Sequence, residues 1–148
     1  VKTLHPRSHS RVLAMKVLYQ CDVATESDPE IIDRLISEAR LDDEIDADVL
    51  ESSRAYTRTL VLGVLTYKDE LDARIKAISA NWPVRRMAVI DRNLIRVGGY
   101  ELLHRSEIPR AVAIDEALRL AKRYSGEGAS SFINGILDQF PRAEGQGE

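Results

Sequence analysis

A single cysteine, Cys21, stands among the 148 residues, so neither an intrachain disulfide nor a cysteine-built zinc site can form. Long apolar runs are missing as well. The longest, Leu60 to Leu65, spans six residues and includes Gly63, far below the roughly 20 a membrane-crossing helix needs. The charges of Lys2 and Arg7 have no apolar stretch behind them of the kind a secretory signal requires. Export and membrane insertion are therefore not expected, and a reducing, cytoplasmic setting is the default. Period-two alternation over a strand's length between turn signals is also lacking, whereas helical spacing recurs almost throughout. These absences predict an all-α fold.

What is present can build a core. Hydrophobic residues make up 44% and charged residues 30%, unlike a disordered chain, and the length suits one domain. The expected division is a single helical domain over residues 1–140 with a polar tail over 141–148. The net charge of −3 conceals an uneven distribution. Residues 1–21 carry four bases and no carboxylate, residues 22–51 carry twelve carboxylates against Arg34 and Arg40, and the remainder is mildly basic. A cationic arm followed by an acidic segment suits a protein that meets a polyanion at one end and repels it elsewhere. Solvated helix faces with unbalanced charge would give the same pattern, and the overall pI of about 5.7 lies below the range usual for nucleic-acid-binding domains.

The first helix is predicted from Ser8 or Ser10 to Val23, with Val12, Ala14, Met15, Leu18, Tyr19 and Cys21 on one broad apolar face. Asp28-Pro29 reads as a cap followed by proline at the first helical position. After an acidic loop beyond Leu41, helices follow over about 46–66 and 68–80. Trp82-Pro83 interrupts the pattern. One long amphipathic helix is then predicted over 84–105, then another over 110–124 with Val112, Ala113, Ala117, Leu120 and Ala121 inward. A last helix runs from near Ser130 to before Pro141. Asn134-Gly135 between apolar pairs is also a hairpin signal, but a lone hairpin is marginal in water. Gly98, Gly99 and Gly135 are read as helix glycines whose propensity cost close packing offsets.

Catalytic patterns fail one by one. His5 and His9 have i, i+4 spacing, but no third metal ligand is spaced to join them. Asp115 and Glu116 are adjacent and so diverge on a helix, where they suit the dipole of its first turns. Ser130 and Ser131 lack a His and Asp framework, and Gly126-Glu127-Gly128 follows a helix rather than a strand, unlike a dinucleotide-binding loop. No metal or cofactor is implied. A binding protein remains, and attention moves to arginine, tyrosine and phenylalanine.

Asp91-Arg92-Asn93-Leu94-Ile95-Arg96 through Tyr100-Glu101-Leu102-Leu103, then Ile108-Pro109, Ala113-Ile114-Asp115-Glu116-Ala117 and Leu120-Ala121-Lys122, closely resemble the NusB family of bacterial transcription factors. Phe132-Ile133-Asn134-Gly135-Ile136-Leu137-Asp138 resembles that family's C-terminal helix, and Arg11 to Ala14 with Leu18-Tyr19 its first helix. The likeness reaches across nearly the whole chain and is weakest over residues 22–48. It implies about seven helices in two packed subbundles and a role in transcription antitermination without chemistry. The implied partners are NusE, a small-subunit ribosomal protein, the boxA element of nascent RNA, and the antitermination complex on RNA polymerase that serves ribosomal RNA synthesis. A homodimer is equally compatible with the sequence.

The same resemblance implies which residues meet the partners. Arg7, His9 and Arg11 fall in the family's RNA-touching arm, with Lys2 and Lys16 as helpers. Guanidinium groups can grip phosphate or stack on unpaired bases. Ser8 and Ser10 leave this arm sparse, so weak RNA affinity without NusE is expected. Phe132 matches a position near RNA, where its ring would be either a stacking face or part of the core. Gly128 replaces an acidic or polar residue common in relatives. Tyr19 and Asp91 match the protein-partner interface. Core burial of Tyr19, or pairing of Asp91 with Arg58, Arg92 or Arg96, is the alternative, while Arg92 and Arg96 themselves read as braces of the fold. Two other readings stand beside this one. NusB-like domains also precede the catalytic domain of certain ribosomal-RNA cytosine methyltransferases, which would require a large further domain, and a helical module could meet proteins without RNA.

Overall fold

The computed structural model describes residues 5–80 and 82–141. Lys2 and most of the expected tail lie outside the described residues. Among those described there are seven α-helices and no strand. They are α1 (Pro6–Ala24), α2 (Pro29–Glu38), α3 (Ala47–Thr66), α4 (Lys68–Ser79), α5 (Val89–His104), α6 (Arg110–Tyr124) and α7 (Ala129–Leu137).

Local chemistry sets the boundaries. Pro6 occupies the first turn of α1, where its missing N–H costs nothing, and the His5 ring accepts from the Arg7 amide. Asp28 and Asp46 cap α2 and α3 by accepting the amides of Glu30 and Asp48, each at 2.9 Å. Pro109 precedes α6, and Gly128, at φ 85°, turns the chain into α7.

α1, α2 and α3 pack on one another, and α4 to α7 form a second group. α5 joins the two by lying against both α1 and α3. This is the expected pair of subbundles. A continuous apolar cluster runs through both, from Ala14, Val17 and Leu60 to Leu94, Leu102, Leu120 and Leu137.

Three expectations about elements are corrected. The long helix over 84–105 is divided: a 3-10 turn at Val84–Arg86 and an extended Met87-Ala88 precede α5. The Arg92 guanidinium donates to the carbonyls of Arg85 and Met87, oxygens a continuous helix would have used internally, while Met87 is buried. Val112 is 41% exposed rather than inward. Gly135 permits no close approach, since a Cβ there would meet nothing within 4 Å. Gly98 and Gly99 do: added Cβ atoms would lie 2.8 Å from the Leu137 side chain and 2.6 Å from the Phe140 ring.

Candidate nucleic-acid and partner interface

The start of α1 brings cations to one aromatic ring. The Arg7 guanidinium lies 4.3 Å above the Tyr56 ring centre, with those of Arg105 and Arg11 at 5.7 and 5.8 Å. A ring face attracts such groups electrostatically. The Tyr56 hydroxyl donates to Glu101. Burial, and then the negative charge of Glu101, push the phenol far above its usual range, so Tyr56 remains a neutral donor.

Arg11 belongs to this cluster but not to its surface, which corrects the expectation that it touches RNA. It is 3% exposed. Its Nε and one terminal nitrogen donate to Glu101 at 3.0 and 2.8 Å, and the other terminal nitrogen donates to Glu116 at 3.0 Å. Burial opposes its charge, but the bonds and charge of Glu101 outweigh burial and hold its pKa above the ordinary value. Arg119 and Ser8 also bond Glu116, whose carboxyl is depressed because these partners and Arg11 overcome the effect of burial. Glu116 is thus more than a dipole partner.

The remaining arm residues divide. Arg7 is half-buried and makes no ion pair among the described residues, so its donors are available. His9 is also half-buried, and burial followed by the charge of Arg119 lowers its pKa against the pull of Asp43. Lys16 is engaged by the Arg40 carbonyl at 2.9 Å and by Asp42 at 2.6 Å. Phe132 is 37% exposed on α7, so it is not a core ring.

Tyr19 and Asp91 converge. Tyr19, 43% exposed, lines an apolar groove of about 440 Å³ with Met15, Ile90 and Tyr124. Asp91 follows Ile90 and accepts from Ser125, the neighbour of Tyr124. None of the arginines expected as alternatives is its partner. Arg92 and Arg96 instead grip Asp22, and Arg96 also holds Asp72 at 2.8 and 3.0 Å. The Arg92 bond, then those of Asn93 and the charge of Arg96, draw the Asp22 carboxyl down to about 2. Asp22, Ile90, Tyr124 and Ser125 escaped sequence reasoning because their partners are distant in the chain. The apolar character of Ile90 beside Asp91 was the one signal pointing to a groove.

Two packed helical subbundles, with an arginine–tyrosine cluster at one end of α1 and an aromatic groove beside an acidic residue, define a helical scaffold suited to meeting large partners. The chain belongs to the NusB family, whose model matches residues 8–142. It is 39% identical over 133 residues to the transcription antitermination protein NusB of Myxococcus xanthus, covering 90% of this chain and 92% of that one. The Acetivibrio thermocellus NusB is 39% identical over 131 residues, covering 88% and 85%. Among solved structures, the T. maritima NusB superposes with a TM-score of 0.72 at 34% identity, covering 93% and 92%. A structure of antitermination factors NusB and NusE with dsRNA shares the fold, with a TM-score of 0.74 at 23% identity over 93% of this chain and 97% of that one.

Proposed function

We propose that this protein is a cytoplasmic transcription antitermination factor, not an enzyme. It pairs with the ribosomal protein NusE, and the pair binds boxA-type RNA within the antitermination complex on RNA polymerase. The observation that carries the reading is family membership over residues 8–142 with relatives named as antitermination proteins.

Arg7, His9 and Phe132 are the RNA-facing candidates that the fold leaves accessible, with Lys2 beyond the described residues and Lys16 held by Asp42. Arg11 acts as a brace beneath them. Tyr19 and Asp91, around the Ile90–Tyr124 groove, form the NusE-facing candidates. An aromatic anchor in an apolar groove with a carboxylate at its rim is suited to a basic protein surface.

Fluorescence anisotropy of a labelled boxA RNA, with the protein alone, NusE alone and both together, tests this reading. Tighter binding by the pair is expected, with a scrambled RNA bound more weakly. Equal affinity for the two RNAs would sink the proposal. Replacing Tyr19 by Ala should weaken copurification with NusE.

A further inference from the structure

The arm at the start of α1 is not where unpaired positive charge is densest. Arg74, Lys76, Arg85 and Arg86 are all exposed and make no side-chain hydrogen bond or ion pair among the described residues. Lys76 and Arg85 line one groove with Trp82, which is 49% exposed, and Arg86 follows Arg85 in the 3-10 turn. A groove of about 380 Å³ between the end of α4 and the 3-10 turn is lined by Asp72, Lys76, Trp82, Pro83, Val84 and Arg85. Ala73 lines both this groove and a neighbouring one, where Arg74 stands with Glu70. Asp72 is the groove's only carboxylate, and Arg96 neutralises it through the two bonds described above. The net field at the groove is therefore positive.

The backbone that carries Trp82 is anchored. The Trp82 amide donates to the Ser79 carbonyl at 3.2 Å, and the Ser79 hydroxyl donates to the Trp82 carbonyl at 2.8 Å. Beyond Pro83, the 3-10 turn is closed by the Arg86 amide bonding the Pro83 carbonyl at 2.9 Å. Arg92 fixes the Arg85 carbonyl from below. A large aromatic side chain kept in water on an anchored backbone, with cations without partners in the same groove, is suited to stack on a base with phosphate contacts beside it. An acidic peptide would satisfy the cations but leave the indole face without use.

We propose that this groove is a second contact for single-stranded RNA, with Trp82 stacking on one base and Lys76 and Arg85, with Arg86 beside it on the same turn, taking the adjoining phosphates. The proposal rests on the reading of the protein as RNA-binding and extends the RNA path beyond the arm. Arg7 and Asp22 lie fifteen residues apart on α1, or about 22 Å at the rise of an α-helix. Asp22 bonds Arg92, which reaches the Arg85 carbonyl. The two contacts are thus near opposite ends of α1.

Trp82 is the only tryptophan in the chain, so its emission reports on the groove directly. The full-length protein, alone and with NusE, is titrated with a uridine-rich RNA of about 20 nucleotides, long enough to span both contacts. Anisotropy of the labelled RNA and indole emission are followed together, and the Trp82→Phe protein serves as the emission blank. Saturable quenching with the same midpoint as the anisotropy rise is expected. Trp82→Ala should weaken binding roughly fivefold or more, while Trp82→Phe, which keeps a ring, should retain most of the affinity. Lys76→Ala with Arg85→Ala should flatten the salt slope by about 1.4, or ~0.7 per lost phosphate contact. Bound RNA with unchanged emission and unchanged Trp82→Ala affinity would overturn the groove proposal and leave the antitermination reading intact. An emission change on adding NusE without RNA, with no further change when RNA follows, would assign the groove to protein and overturn the proposal too. No RNA binding under any condition would remove the antitermination reading itself, and the groove with it.

Discussion

A guanidinium bonded through three nitrogens to two carboxylates has no edge to offer a phosphate. Arg11 is such a group, whereas Arg7, one helical turn earlier, keeps its donors free over the Tyr56 ring. Arg11→Ala would leave Glu101 buried with its main counter-charge gone, and breaking a buried pair on one side costs about 3–5 kcal/mol. Arg7→Ala loses only a cation–π contact to Tyr56, about 0.5–2 kcal/mol. Urea denaturation of the two variants should show this contrast, and equal losses would contradict it. Their i, i+4 spacing was legible and does put both on one face. What could not be read was that Glu101 and Glu116, some 90 and 105 residues further on, draw one of them inward. Asp22 shows the same limit. Its carboxyl sits at about 2 in the folded protein against an ordinary value of 3.8. Its pairing therefore stabilises the fold fully above about pH 4, and that contribution disappears as pH falls through 2. Asp22→Asn should lower stability by about 2 kcal/mol at pH 7. The gap between variant and parent in urea titrations should close towards pH 2, and a gap independent of pH would show that the ion pairs do not carry it.

Helix ends followed from local chemistry wherever a cap or a proline decided them. Pro29 with Asp28, Asp46, and Pro109 before α6 each placed a boundary to within a residue or two, because the caps satisfy the first orphan amides of a helix from nearby in sequence. The interruption before α5 had no such marker, since it depends on Arg92 reaching back to two carbonyls and on Met87 entering the core. Glycine is similarly ambiguous in sequence and resolved by packing. At Gly63 an added Cβ would lie 2.2 Å from the Tyr100 ring, a ring that is buried and stacks on Tyr67. Gly63→Ala should therefore destabilise the protein by about 1–3 kcal/mol through overpacking. Gly135 lies inside α7 in open space. There the same substitution should stabilise by about 0.5–1 kcal/mol, the helix propensity difference. Thermal melts of the pair should move in opposite directions: a rise in both would mean that propensity outweighs packing at Gly63, and a fall in both would remove the propensity gain at Gly135.

Charge organises the whole molecule differently from its order in sequence. The acidic segment is not wholly separate from the arm: its Asp42 and Asp43 pair with Lys16 and Arg123, which ties one residue of the basic arm to a carboxylate. Cations without partners include Arg7 and, in greater number, Lys76, Arg85 and Arg86 in and beside the Trp82 groove. The salt dependence of RNA binding should reflect this unpaired set rather than the count of bases in residues 1–21. Each free cation that meets a phosphate steepens the slope by about 0.7 for a single strand. Lys16, already neutralised, contributes nothing until Asp42 releases it. Arg7→Ala should thus flatten the slope by about 0.7 while Lys16→Ala leaves it unchanged, and in an Asp42→Asn background Lys16→Ala should begin to flatten it. Measuring the slope for these variants in parallel separates internal pairing from ligand contact, because a lysine that touched RNA throughout would flatten the slope equally in both backgrounds.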